Sequence, residues 1–423
     1  MKRRRNRVGR RHKKRQPQWL YIFASTLLVI GMTLFVLSWL RQAGSQHQAS
    51  LTSSSTDSGT STSSSEASVQ TARIMAHGDL LYHDLLYMSA EQPDGSYNFS
   101  ENFTYVKPWI EQADLAIADF EGTISPDYPL AGYQLFNAPA SVATAMAEAG
   151  YDVVDLAHNH ILDSQLSGLI STVSTFKQVG IDSIGVYAEG NRSTAPLYIR
   201  EVNGIKIAIL GYAYGFNGME GNLTQEEYDA YLSDFMKEKM RSEIERAEQE
   251  ADFTIVMPQA GVEYQLDPTE EQVTLYHEMV EWGADMVLGG HPHVAEPAEI
   301  VEKDGQRKLI IYSMGNFLSN QRIETMEGVA NAQWTERGML MDITLEKKNG
   351  VTTIQTAQAQ PTWVSKISKG TYSKEGHEQF TYQTLILADF IEGGAHRNQI
   401  DQATQQRIDT AYQEMTAFMG LSW

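Results

Sequence analysis

The chain reads as an α/β domain carried behind one N-terminal membrane-spanning helix. Two observations predict the domain: from Thr71 onward short apolar runs alternate with helical patterns, and the chemically informative residues fall just after those runs, where ligands gather in open α/β sheets. A third predicts the anchor. Trp19 to Trp39 is a run of 21 residues without a charge, and about 20 apolar residues at ~1.5 Å rise cover a ~30 Å hydrocarbon core.

Residues 1–18 form a basic tail, with ten Lys or Arg and no acid before Gln16. A cleaved signal peptide also starts this way, but its apolar stretch is about 7–15 residues and ends at a small-residue cut site. Here the stretch is longer, Trp19, Tyr21 and Trp39 sit at interfacial positions, and Leu40-Arg41-Gln42 offers no such site. The positive-inside rule then keeps the tail in the cytoplasm and places the rest outside, as a single-pass bacterial membrane protein. Residues 40–70, rich in Ser and Thr, bury too little apolar surface to offset ordering entropy and read as a flexible stalk. The domain proper is 71–423.

The formal net charge of −20 comprises 33 basic and 53 acidic residues. With ten bases in the tail, the remainder is close to −30, which excludes nucleic acid as a partner and gives no attraction to a polyanion. The tail suits topology and anionic lipid better than nucleic acid. There is no cysteine, so neither disulfides nor a lipidated cysteine are available.

Strands are expected at Arg73–His77, Leu115–Phe120, Val153–Ala157, Lys206–Tyr212, Phe253–Pro258, Met286–Leu288 and Leu309–Ser313. Helices are expected at Ala140–Ala149, Gln165–Val179, Gln225–Glu250 and Thr269–Trp282. Gly338–Lys347 and Val351–Ile367 alternate like antiparallel strands, and Ile400–Phe418 reads as an amphipathic helix. His77-Gly78-Asp79 follows the first strand, Asp119 and Glu121 the second, His158-Asn159-His160 the third, Gln259 the fifth and His291-Pro292-His293 the sixth. Six of the eleven histidines lie in or beside these segments.

Imidazole with carboxylate suits Zn, Mn or Fe, whereas an all-oxygen set suits Mg or Ca. A two-ion centre needs a bridging carboxylate and ligands from several segments; Asp79, Asp119, Glu121, Asn159, His291 and His293 supply that inventory. Each motif alone is weak: His-x-His recurs by chance, and Asp-Phe-Glu suits an ordinary turn. Their joint occurrence at successive strand ends carries the reading.

Ala76-His77-Gly78-Asp79, Asp119-Phe120-Glu121, Leu156 through Asp163 with its His158-Asn159-His160 core, Gly261-Val262-Glu263-Tyr264, Gly283 through His293 and Tyr312 through Phe317 occur in this order. Together they resemble the CapA family of poly-γ-glutamate capsule proteins, over a motif core of 73–317. The resemblance implies a calcineurin-like metallophosphoesterase fold: a sandwich of two mixed sheets flanked by helices, with one or two divalent metal ions at the strand ends. It implies Asn159 as a ligand, His160 as general acid with Asp163 orienting it, and Glu263, Tyr264 and Asn316 on the substrate side. It further implies hydrolysis of a phosphoester or a polymer amide, with an anionic capsular or wall polymer and other capsule-synthesis membrane proteins as partners, or a non-catalytic role in guiding such a polymer. The chain departs from the family where Asp119 replaces an Asn, His158 a second Asn, and Gln259 the His of a His-Trp-Gly step. An amide oxygen is a poorer ligand than imidazole for Zn or Fe, and His77 or His158 is the expected compensation.

Overall fold

The computed structural model describes residues 69–423, within the compact unit Glu66–Trp423. The helix expected at 19–39, the tail before it and the expected stalk up to residue 68 lie outside the described residues; Gln70, the last residue assigned to the stalk, opens the first strand. Among the described residues, no helix is long and apolar enough to cross a membrane.

Two sheets face each other. The first has the order β14-β13-β12-β1-β2-β3-β4, with β11 also on β1. Its strands are β1 (Gln70–Leu81), β2 (Leu115–Glu121), β3 (Val153–Asp155), β4 (Asp182–Ile184), β11 (Asn316–Leu318), β12 (Arg337–Lys348), β13 (Val351–Tyr372) and β14 (Glu378–Ile386). The second has the order β5-β6-β7-β8-β10-β9, made of β5 (Ile199–Val202), β6 (Ile205–Ala213), β7 (Phe253–Gln259), β8 (Met286–Leu288), β9 (Ala298–Lys303) and β10 (Gln306–Ile311). β1 to β4 run parallel, as do β6, β7, β8 and β10, while the outer pairs are antiparallel. Two sets of parallel carboxyl ends therefore open on one edge.

Period-2 alternation makes the sandwich. Ile74, Leu115, Ile117 and Val153 of the first sheet meet Ile207, Ile209, Phe253, Ile255, Met286 and Leu309 of the second in one buried layer. Each such side chain contributes about 1.5–3 kcal/mol on burial. The other face of the first sheet, through Ala118, Phe120 and Val154, is covered by α2 (Ser141–Ala149) and α3 (Gln165–Gln178); α1 (Asp84–Ala90) packs in the same layer. The second sheet's outer face, through Ala208, Val256 and Val287, is covered by α5 (Lys237–Glu250) and α6 (Glu270–Trp282). The sequence thus yields a mixed α/β sandwich of two sheets flanked by helices. α7 (Gln402–Met419) closes the end of the inter-sheet layer with Met415 and Met419.

One expected helix is two. Gln225–Glu250 breaks after α4 (Gln225–Tyr231), because Leu232 turns into the core and pairs with Val186, and Asp234 bridges Ala213 while accepting from Arg192 at 3.0 Å. The expected 338–347 and 351–367 strands form a long hairpin, turned by Asn349 and Gly350, both at positive φ as a two-residue type I′ turn requires.

Candidate metal centre at the carboxyl edge

Asp79 reaches the site through a bulge. Ala72, Ile74 and Ala76 of β1 face the inter-sheet layer, so simple alternation would send Gly78 there. Ala76 pairs with Ile117 and Asp79 with Asp119, so β1 uses three residues where β2 uses two. The extra residue turns Asp79 inward, as bulges do beside active sites. Gly78 is required at the bend: a Cβ there would sit 2.0 Å from the Gly315 carbonyl oxygen.

On the neighbouring strands alternation alone suffices. Leu115 and Ile117 precede Asp119 and Glu121 on the inward face of β2, Val153 precedes Asp155 on β3, and Ile255 and Met257 precede Gln259 on β7. After β8 the chain passes Gly289-Gly290 into His291-Pro292-His293. A Cβ on Gly290 would lie 2.5 Å from Gln259 Nε2, 2.9 Å from Asp119 Oδ2 and 3.0 Å from Asp79 Oδ1, so that glycine leaves the centre of the cluster open. His291 and His293 stand at φ 96° and 57°, a conformation costing about 1–3 kcal/mol per residue that is found mainly at functional sites.

One ligand atom from each of Asp79, Glu121 and His293 lies within 4.8 Å of the others. His293 Nδ1 is 2.9 Å from Asp79 Oδ2, 3.2 Å from Asn316 Oδ1 and 3.9 Å from Glu121 Oε2. Around this group, Asp79 Oδ1, Asp119 Oδ1, both Glu121 oxygens, Asn159 Oδ1, Gln259 Oε1 and His291 Nδ1 are buried without a hydrogen-bond partner. Orphan buried polar atoms cost roughly 1–3 kcal/mol each, and more when charged. A divalent cation would satisfy them, and the mixed imidazole and carboxylate donors suit Mn, Zn or Fe.

The electrostatics are those of an acid cluster short of positive charge. Burial, then Asp79, Asp155 and Glu121, raise the Asp119 carboxyl well above its usual range. Burial pushes Glu121 up to about 7 against the opposing pull of His293. For His293 burial acts downward, yet Glu121 and Asp79 outweigh it and raise the imidazole to about 10. His291, buried and next to His293, is lowered to about 3; it is the neutral imidazole that ligates metal.

His160 stands beside the cluster. Its Nδ1 lies 2.7 Å from Asp163 Oδ2, which also accepts from the Phe136 N–H at 2.6 Å, and its Nε2 lies 3.8 Å from Glu121 Oε1. Burial acts to lower its pKa, but the Asp163 bond and Glu121 together raise it.

The remaining residues named from the sequence are distributed as follows. Gln259 points its amide Nε2 at Asp119 Oδ2, leaving its Oε1 buried and unpartnered. Asn316 is buried behind His293, donating from Nδ2 to Gln321 Oε1 at 2.8 Å and to the Thr335 carbonyl at 3.0 Å, so it braces the imidazole instead of facing outward. Tyr264 sits with its ring 6.2 Å from that of His293, at φ 66°, and Glu263 beside it is exposed. Neither expected compensator for Gln259 serves. His77 stacks on Phe317 at 3.7 Å with its nitrogens 2.7 Å from the Tyr151 hydroxyl and 2.8 Å from the Gly78 carbonyl. His158 has its nitrogens 3.3 and 3.2 Å from the Gly122 and His160 N–H groups. Both rings are held away from the cluster by these bonds.

Sequence reasoning missed Asp155, Asn217 and Tyr214. Asp155 pairs in register with Asp119, and strand parity signals it. Asn217 bridges Asn159 and His160 at 3.4 Å, and Tyr214 stacks obliquely on His291 at 4.6 Å; both lie in a loop with no motif to mark it.

Residues 73–321 match the family described as bacterial capsule synthesis protein PGA_cap. The capsule biosynthesis protein CapA of Bacillus anthracis is 28% identical over 227 residues, 52% of this chain and 54% of that protein, so the match spans about half its length. The PGA biosynthesis protein CapA of Bacillus subtilis (strain 168) is 28% identical over 278 residues, 63% of this chain and 68% of that one. Among solved structures, a phosphatase from Mycoplasma pneumoniae has a TM-score of 0.43 at 14% identity, covering 70% of this chain and 94% of its own. The calcineurin-like phosphoesterase YfkN of Bacillus subtilis has a TM-score of 0.40 at 16% identity, with 82% and 100% covered. The family model spans more than half of the sequence, and the chain belongs to the bacterial capsule synthesis protein family PGA_cap.

Proposed function

We propose that this chain is a membrane-anchored component of capsule or other cell-surface polymer biosynthesis that holds one or two divalent ions (Mn, Zn or Fe) and hydrolyses phosphoester or polymer amide bonds. Its N-terminus lies in the cytoplasm, its C-terminal domain outside, and its partners are the membrane, a capsular or wall polymer, poly-γ-glutamate being the one the family is named for, and other capsule-synthesis membrane proteins. One observation carries the metal reading: seven buried, unpartnered ligand atoms from six residues at a single edge.

An ion bound there supplies Lewis-acid polarisation of a phosphoryl or carbonyl oxygen. The chain's own residues do the rest. Because Asp163 accepts the Nδ1 proton, His160 exchanges its other proton at Nε2, the nitrogen facing Glu121. Its raised pKa keeps that proton available for a leaving oxygen or nitrogen. Asn217, within 3.4 Å of both Asn159 and His160, holds the two at a fixed spacing.

The test is metal analysis of the purified chain after Mn or Zn loading, beside hydrolysis of bis(p-nitrophenyl) phosphate. His160→Ala is expected to lose about 10²–10⁴ in rate with metal content unchanged. Undiminished turnover removes the role of His160, and absence of metal with no thermal shift overturns the site. A second reading, a non-catalytic component that guides a polymer during export or anchoring, is favoured by Gln259, whose donor is turned to Asp119 and which offers no imidazole. It predicts metal binding without turnover.

A further inference from the structure

Of the six histidines in or beside the strand-end segments, His291 and His293 stand at the metal cluster, His160 pairs with Asp163, and His77 and His158 are held in the packing. His83 is the sixth, two residues past β1. Leu80 and Tyr82 pack with Phe120 in the helix-covered layer of the first sheet, so alternation turns Asp79, Leu81 and His83 to the opposite face, where Asp79 pairs with Asp119 and Leu81 with Glu121. His83 keeps an extended backbone, φ −60° and ψ 161°, and continues that line one step beyond Glu121. It immediately precedes α1, a position that favours Ser, Thr, Asp or Asn, yet its side chain makes no bond to the helix.

The ring is held at one nitrogen and free at the other. The Asn320 N–H donates to Nδ1 at 3.3 Å and has no other acceptor among the described residues. The Leu81 carbonyl, 3.4 Å from Nδ1, already accepts the His83 N–H at 3.1 Å. A backbone N–H can only donate, so Nδ1 is the acceptor and the proton sits on Nε2. Nε2 has no partner among the described residues, and His83 is partly exposed. Asn320 is itself pinned, its Oδ1 accepting from the Tyr382 hydroxyl at 2.6 Å and from Lys366 Nζ at 3.0 Å. The imidazole also meets Phe136 edge-on at 5.1 Å, and Phe136 meets His160 edge-on at 4.8 Å. Burial lowers the His83 pKa to about 4, the Leu81 carbonyl opposing and His293 and His160 adding to it. A cation in the cluster acts in the same direction, so the ring is neutral at pH 7.

We infer that His83 stands on the substrate side of the centre and donates its Nε2–H to the phosphoryl or acyl oxygen that gains negative charge in the reaction. The inference rests on the reading of the cluster as a hydrolytic centre and adds a residue to it. No proton is transferred in this contact; the hydrogen bond strengthens as the oxygen becomes charged. A donor fixed through Asn320 is aimed beforehand and costs no reorganisation as that charge develops.

Isothermal titration of the full-length, manganese-loaded chain in detergent with inorganic phosphate tests it, beside kcat/KM for bis(p-nitrophenyl) phosphate and for a γ-glutamyl decamer. His83→Ala is expected to weaken phosphate binding about tenfold and to lower kcat/KM about 10²-fold, with manganese content unchanged. Two further variants separate the ring nitrogens. His83→Asn puts an acceptor where Nδ1 stands and restores only the bond from Asn320, whereas His83→Gln puts an amide N–H near the place of Nε2. His83→Gln is expected to recover about tenfold of the lost rate and His83→Asn none. The decamer distinguishes a carbonyl from a phosphoryl oxygen, because His83→Ala slows only the bond that the parent chain cleaves. Recovery by His83→Asn in place of His83→Gln assigns the ring to packing and overturns the inference. Unchanged phosphate affinity, unchanged kcat/KM or loss of manganese in His83→Ala overturns it as well. A parent chain that binds phosphate without turnover sinks hydrolysis alone, and the titration still decides the role of His83; a parent that binds no phosphate sinks that role.

Discussion

The two sheets supply one edge with opposite chemistry by different means. The first contributes Asp79, Asp119, Glu121 and Asp155, all strand residues, the last three aimed by the pleat and Asp79 by the bulge after Ala76. The second contributes Gln259 from a strand, but His291 and His293 from a loop held at positive φ. Carboxylates placed by a sheet are rigid and mutually repulsive; imidazoles placed by a strained loop are adjustable. A centre made of both can be broken on either side with different symptoms.

The largest effect is expected on the first sheet. Gly78→Ala drives a Cβ into the Gly315 carbonyl, backbone against backbone, and should cost about 3 kcal/mol or more, read as a lowered urea midpoint. On the second sheet's side, the nearest atoms that Gly290→Ala meets belong to the side chains of Gln259, Asp119 and Asp79. It should abolish metal retention in elemental analysis while moving the urea midpoint much less; loss of fold before loss of metal would erase the distinction between strand and loop. Gln259→His is expected to raise metal content, since an imidazole replaces an amide that is committed to Asp119. An unchanged ratio of metal to protein would show that Gln259 does not limit occupancy.

The smallest effect concerns the support behind the histidine loop. Glu296 accepts from Gln272 Nε2 at 2.7 Å, and burial raises it from 4.5 to about 8. The folded chain then keeps a proton that the unfolded chain releases, so this group's contribution makes stability fall as pH rises from about 4.5 to about 8 and levels off above. Glu296→Gln should flatten that slope in thermal melts across the window; a slope identical to that of the parent assigns the dependence elsewhere.

How much of this was legible follows from which rule placed each residue. The strands at Leu115, Phe253 and Met286 were readable because their apolar runs were continuous, as buried parallel strands require. Asp119, Glu121 and Gln259 followed, since each ends such a run. Asp79 was also found, but its bulge was not, because nothing in His77-Gly78 distinguishes an extra residue from a continued strand. The break at Leu232 was hidden for a related reason: it depends on Val186 and Arg192, about forty residues earlier, which claim Leu232 and Asp234 for the core. The short β4 and β9 escaped notice because three to six residues at sheet edges carry little pattern. The directions of the Asn316 and Gln259 amides are tertiary facts with no sequence correlate.

Asp79 and His293, 2.9 Å apart, are separated by 214 positions in sequence. That distance orders the events of folding. The four carboxylates can gather when the first sheet pairs, with His160 beside Glu121 after β3, but the imidazole that meets Asp79 arrives with the loop after β8, whose closure is a late, non-local step. A nascent or partly refolded chain lacking that loop holds a knot of like charge in its half-built interior. The histidine loop is therefore the latch as well as the ligand, and conditions that supply a divalent ion at closing time should speed the last phase of refolding without altering the earlier ones.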